Sequence, residues 1–111
     1  MLDRPEGSAS AQSNRNLSKR PCCIISELMF DDTELVLDGV VRWMLTDRAL
    51  FREATRFILK RKGDQVRLRV LGEVYPAVIL GTSSEGYTLS FNTPVPADSV
   101  EDLVSGHLTD E

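Results

Sequence analysis

The sequence predicts a mainly β fold: a small antiparallel β-barrel with one or two short helices. Three observations carry the prediction. Apolar and polar residues alternate in short runs, as they do in strands with one buried face. Turn-forming residues punctuate those runs at Asp31-Asp32-Thr33, Gly63-Asp64 and Gly81-Thr82-Ser83-Ser84-Glu85-Gly86, which fits hairpin connections. The runs number about five, and closing so few short strands into a barrel removes exposed edges.

A chain of 111 residues has room for one modest core, so one domain is expected. Residues 1–19 are rich in Ser, Asn, Gln, Ala and Gly, with Leu2 and Leu17 the only larger apolar side chains. Such a segment cannot bury enough surface to offset its ordering entropy, and disorder is expected. The barrel domain is placed at residues 20–105, followed by a flexible acidic tail at 106–111.

Residues 22–30 read as the first strand, with Cys22, Ile24, Ser26, Leu28 and Phe30 as its core face. The next run, LVLDGVVRWML at 35–45, has two readings. Asp38-Gly39 is either a type I′ turn between two short strands or part of one long strand with a bulge at Gly39. The long strand is preferred, because it gives residues 22–30 an antiparallel partner of similar length.

Over residues 47–62 the spacing predicts a short helix, with Asp47 as N-cap and Gly63 just past its end; an extended barrel segment is the alternative. In the helical reading Arg48, Arg52, Arg56 and Lys60 form a cationic stripe at i, i+4 steps. Val66, Leu68 and Val70 then alternate inward. Residues 74–80 are almost continuously apolar, which suits burial on both faces. Tyr87, Leu89 and Phe91 form one face of the last strand, which Pro94 and Pro96 stop, and residues 98–104 form a short capping helix ended by Gly106.

No apolar run approaches the roughly 20 residues of a membrane span, and the N-terminal residues contain no secretory apolar core. Membrane insertion is not expected and a cytoplasmic location is. Cys22 and Cys23 are adjacent, which makes a mutual disulfide strained, so reduced and buried thiols are expected. His107 is the sole histidine, which leaves a zinc site short of ligands. No nucleophile and base can be assembled, so no catalytic residue, metal ligand or enzyme activity is assigned. The net charge of −4 hides an asymmetry: arginine and lysine crowd residues 42–69, and no basic residue other than His107 follows Arg69. No DNA or RNA partner is expected of the chain.

The order of these features resembles a PilZ domain, a bacterial β-barrel module whose usual role is binding cyclic di-GMP. The resemblance spans residues 15–104. Arg15-Asn16-Leu17-Ser18-Lys19-Arg20 stands where the family has its R-x-x-x-R linker, and Gly63-Asp64-Gln65-Val66-Arg67-Leu68 resembles its G-D-x-V-x-L. The family's D/N-x-S-x-x-G turn falls on residues 44–49, where Thr46 replaces the serine while Met44 and Ala49 depart from the motif. Lys19 lacks the planar fork with which arginine grips phosphate and stacks on guanine. A second placement sets the linker motif on residues 52–56 and the turn on 81–86, but leaves too little chain to complete the family barrel.

The resemblance implies a non-enzymatic regulator that binds cyclic di-GMP through Arg15, Lys19, Arg20, Thr46 and Arg48 and signals through a protein partner. A degenerate adaptor that binds protein and not nucleotide, through Arg52, Arg56 and Lys60, is the alternative. A further alternative is a Tudor or SH3-like interaction module, to which residues 63–104 are similar, although Tyr75, Tyr87 and Phe91, mostly placed as core residues, are too few for that class's aromatic cage.

Overall fold

The computed structural model describes residues 19–54 and 62–109. Six strands, β1 (Ile24–Phe30), β2 (Val36–Met44), β3 (Arg48–Glu53), β4 (Gln65–Val70), β5 (Glu73–Ser83) and β6 (Gly86–Phe91), close into an antiparallel barrel. Their order around the wall is β1-β2-β3-β6-β5-β4. Among the described residues one helix, α1 (Ala97–Ser105), follows. The predicted fold class holds. Among the described residues no helix is long and apolar enough to cross a membrane.

The alternating faces settle where most side chains go. Ile24, Leu28 and Phe30 of β1, Val66, Leu68 and Val70 of β4, and Tyr87, Leu89 and Phe91 of β6 point into one core, as their period-2 spacing requires. Residues 74–80 differ from expectation: Ala77 and Ile79 are buried, while Val74 and Leu80 lie exposed. Among the described residues nothing covers the outer face of this strand at Val74 and Leu80, so only its inner face is buried.

Val95 and the helix residues Val100 and Val104 belong to the same core cluster, so α1 plugs one end of the barrel. Backbone bonds fix the plug. Val95 N–H donates to Thr46 O at 2.8 Å, Phe91 N–H to Asp47 O at 2.9 Å and Cys23 N–H to His107 O at 3.0 Å. Cys22 bridges Leu108, and His107 Nδ1 lies 2.8 Å from Leu103 O. The chain after α1 is therefore tied to the residues just before β1, Thr109 N–H donating to Pro21 O as well.

Two local expectations are corrected. The long-strand reading of residues 35–45 holds, since β2 is unbroken and pairs with β1 along its length, but its irregularity lies at Arg42, between Val41 and Trp43, and not at Gly39. Gly39 sits in regular register opposite Ser26 and Glu53. It is glycine because the Phe51 ring and the Arg52 carbonyl approach its backbone too closely for a Cβ. The predicted helix at its N-terminal half is a strand: Arg48–Glu53 pairs with β2 on one side and β6 on the other. Two ladders of backbone bonds, which close the barrel, outweigh the weak helical spacing. The remainder of that segment, residues 55–61, lies outside the described residues, as do residues 1–18.

Candidate functional site

The bulge at Arg42 reshapes the outer wall of the barrel. Along β2, Leu37, Gly39 and Val41 face inward; the extra residue then sets Arg42 and Trp43 side by side, both partly exposed, before Met44 returns to the core. A bulge re-aims side chains in this way. Trp43 pairs with Leu50 of β3. Leu50 is only 5% exposed yet is not part of the barrel core, because it forms the floor of a cleft on the outer wall.

That cleft, about 270 Å³, is lined by Lys19, Pro21, Arg42, Trp43, Leu50, Arg52 and Glu85. Lys19 Nζ stands 4.5 Å above the centroid of the Trp43 ring, a cation–π contact worth about 0.5–1 kcal/mol at an exposed site. Arg42 and Arg52 also line a second cleft of about 390 Å³, bounded by Asp38, Gly39, Val40, Glu53 and Ala54. The two arginines thus stand at the junction of two adjoining hollows. Chemically the arrangement offers three cations, with the Glu85 carboxylate beside them, and an indole whose outer face Lys19 covers until a planar ring displaces it.

The predicted site residues are only partly assembled here. Lys19 is in the cleft. Arg20 points away from it, its Nη2 donating to Glu101 Oε1 of α1 at 2.7 Å. Thr46 and Arg48 line neither cleft; Thr46 gives its carbonyl to Val95, and Arg48 Nε lies 3.7 Å from Asp47 Oδ2. Arg15 lies outside the described residues.

The cationic stripe changes shape as well. Arg48 and Arg52 do share the outer face of β3, but a strand separates residues four apart by roughly 13 Å, against about 6 Å along a helix. Arg56 and Lys60 lie outside the described residues. Arg52 instead joins Lys19, which the sequence reading assigned to a different surface.

Arg42 and Trp43 are the residues the sequence reading left unassigned. The available signal was an arginine beside the chain's only tryptophan, interrupting strict alternation. The three candidate cage aromatics form no open cage. Tyr87 and Phe91 are buried, and Tyr75 packs edge-on against Phe91 with centroids 5.8 Å apart. Burial raises the Tyr75 pKa, with Glu73 adding to the shift.

Both cysteines are free thiols, Cys22 buried and Cys23 exposed, so the expected burial holds for one of them. Cys22 Sγ lies 3.5 Å from Val41 O, and burial pushes its thiol up to about 11. The chain matches no family model, no curated protein and no solved structure.

Proposed function

We propose that the chain is a non-enzymatic regulatory module of a bacterial cytoplasm, of PilZ type, that binds cyclic di-GMP on its barrel wall and passes the event to a protein partner. The observation that carries the reading is the convergence of Lys19, Arg42 and Arg52 around the Trp43 indole in a chain whose net charge is −4. A local cationic cluster against an acidic background selects for anions. Once Lys19 swings off the indole, giving up a contact of about 0.5–1 kcal/mol, the ring adds a stacking face for a base, worth about 1–3 kcal/mol per stacked base. Ligand clefts run from about 300 to 1,000 Å³, so the Trp43 hollow suits one base and its phosphate, with the adjoining hollow taking the remainder across Arg42 and Arg52.

This places the ligand on Lys19, Arg42, Trp43 and Arg52 in preference to Arg20, Thr46 and Arg48. Calorimetric titration with cyclic di-GMP at low salt tests it, with Trp43 emission as a second readout, since Trp43 is the only tryptophan. Binding that weakens roughly 5- to 150-fold in Trp43→Ala, the span of one stacked base, supports the placement. Absence of both heat and emission change at high-micromolar ligand refutes the nucleotide reading.

One observation favours the adaptor as the second reading. Arg20 is committed to Glu101, and Arg48 lies against Asp47, so two of the cations that the family resemblance assigns to nucleotide are turned elsewhere. An adaptor would use Arg42 and Arg52 for an acidic protein partner, and charge reversal of both would then abolish pulldown of that partner while nucleotide has no effect.

A further inference from the structure

We infer that the outer face of β2 is a self-association surface, on which a second copy of this chain docks face to face across a two-fold axis. Three outward residues of β2 stand in the order Asp38, Val40, Arg42: acid, apolar, base. A two-fold axis lying in the interface and crossing β2 at Val40 sets each copy's Asp38 against the other's Arg42, so both charge contacts are attractive at once. This is the self-complementarity an isologous interface requires.

The flanking residues extend the same surface. Ile25 pairs with Val40 across the β1–β2 ladder and is 77% exposed. Leu71, 56% exposed, shares with Ile25 a hollow of about 300 Å³ that also reaches Asp38 and Gly39. Leu71 is held at φ +50°, a backbone region costly for a leucine. The two-residue turn between the paired Val70 and Glu73 sets that φ, but nothing in the turn calls for an apolar side chain; under a second copy it is covered. The axis brings Ile25 onto its counterpart, with Leu71 beside it, and it also brings Arg52, which pairs with Val40 from the β3 side, onto its counterpart, so one like-charge contact opposes the two attractive ones.

A convex barrel wall touches its copy over fewer residues than the roughly 800 Å² per partner of a standard stable interface, so the association is weak and appears at high protein concentration. Arg42 also lines the proposed ligand cleft, so an anion seated on it competes with the second copy's Asp38. That competition rests on the proposed function; the self-association does not.

Sedimentation equilibrium of the full chain from about 10 μM to about 1 mM tests the inference. The weight-average mass should climb from 12.4 kDa toward twice that value. Asp38→Arg and Arg42→Asp should each stay monomeric alone, whereas an equimolar mixture of the two should associate, because every Asp then faces an Arg. Net-charge attraction cannot mimic this, since both variants remain acidic. Ile25→Asp, at a fully outward position, should also remain monomeric while keeping the native circular dichroism. A wild-type chain that stays monomeric throughout overturns the inference and leaves the face to a different partner. So do association unaffected by Ile25→Asp and a mixture that fails to associate when the wild type does.

Discussion

Replacing Gly39 by alanine tests whether the barrel wall is as tight at its β2–β3 seam as the structure indicates. A Cβ at Gly39 would stand 2.7 Å from Phe51 Cζ and 3.0 Å from the Arg52 carbonyl carbon, and nearer still to the Arg52 carbonyl oxygen. Neither neighbour can yield cheaply. Phe51 is fully buried, with Tyr87 as an aromatic neighbour at 6.2 Å, and Arg52 is held in the ladder opposite Val40. Overpacking of this kind costs about 1–3 kcal/mol, and a backbone obstacle belongs at the upper end. Removing glycine's freedom from the unfolded chain returns about 0.5–1 kcal/mol. The net loss is about 2 kcal/mol, which lowers the urea midpoint by about 1–2 M for a small domain. Trp43 emission follows the transition. Gly81→Ala is the control: its Cβ would meet nothing within 4 Å and its φ is not positive, so its midpoint should hold or rise slightly. A Gly39→Ala midpoint equal to that of wild type, or to that of the Gly81 control, refutes the close-approach argument.

Three further outcomes follow from particular residues. Ellman's reagent at pH 8 should titrate one thiol rapidly in the folded protein, the exposed Cys23, and the second only in denaturant, because Cys22 is buried. Cys22 has its pKa raised from 9.0 to about 11 by burial, so the folded state holds the proton more tightly than the unfolded state. Its contribution is intact below about pH 9 and is lost as pH rises through about 11; urea midpoints at pH 8 and pH 10.5 should differ more for wild type than for Cys22→Ala. Leu71→Asn should raise stability by about 1 kcal/mol and the melting temperature by several degrees, since Leu71 and Gly72 both have positive φ and asparagine tolerates that region better than leucine; no rise in a thermal scan counts against the strain. Glu101→Gln breaks the 2.7 Å contact with Arg20 and should cost less than about 1 kcal/mol, because both groups are partly solvated; a larger loss in urea denaturation would mean that the contact holds α1 on the barrel.

Short-range pattern was enough for much of the barrel. The alternation through residues 24–30 and 65–70 settled which side chains enter the core, because successive side chains on a strand must point to opposite faces whatever surrounds them; for residues 86–91 it separated two faces, and packing in the barrel chose Tyr87, Leu89 and Phe91 as the inner one. The Asp31-Asp32-Thr33 turn brought β1 and β2 together for the same local reason, as did the stop at Gly106 for α1.

Tertiary structure decided what local pattern left open. Residues 48–53 carry helical and extended signals at once, and only the vacant place between β2 and β6 made them a strand. Asp38-Gly39 reads locally as a turn; contact with Phe51 and Arg52, more than ten residues away, made it a close crossing within a continuous strand. The candidate site belongs to this second class. Lys19, Arg42 and Arg52 come from three separated stretches, and it took barrel closure and a one-residue bulge to bring their charges to one indole. Side-chain direction along a strand is a property of the sequence by itself, whereas the meeting of distant side chains depends on register, which the closed barrel sets.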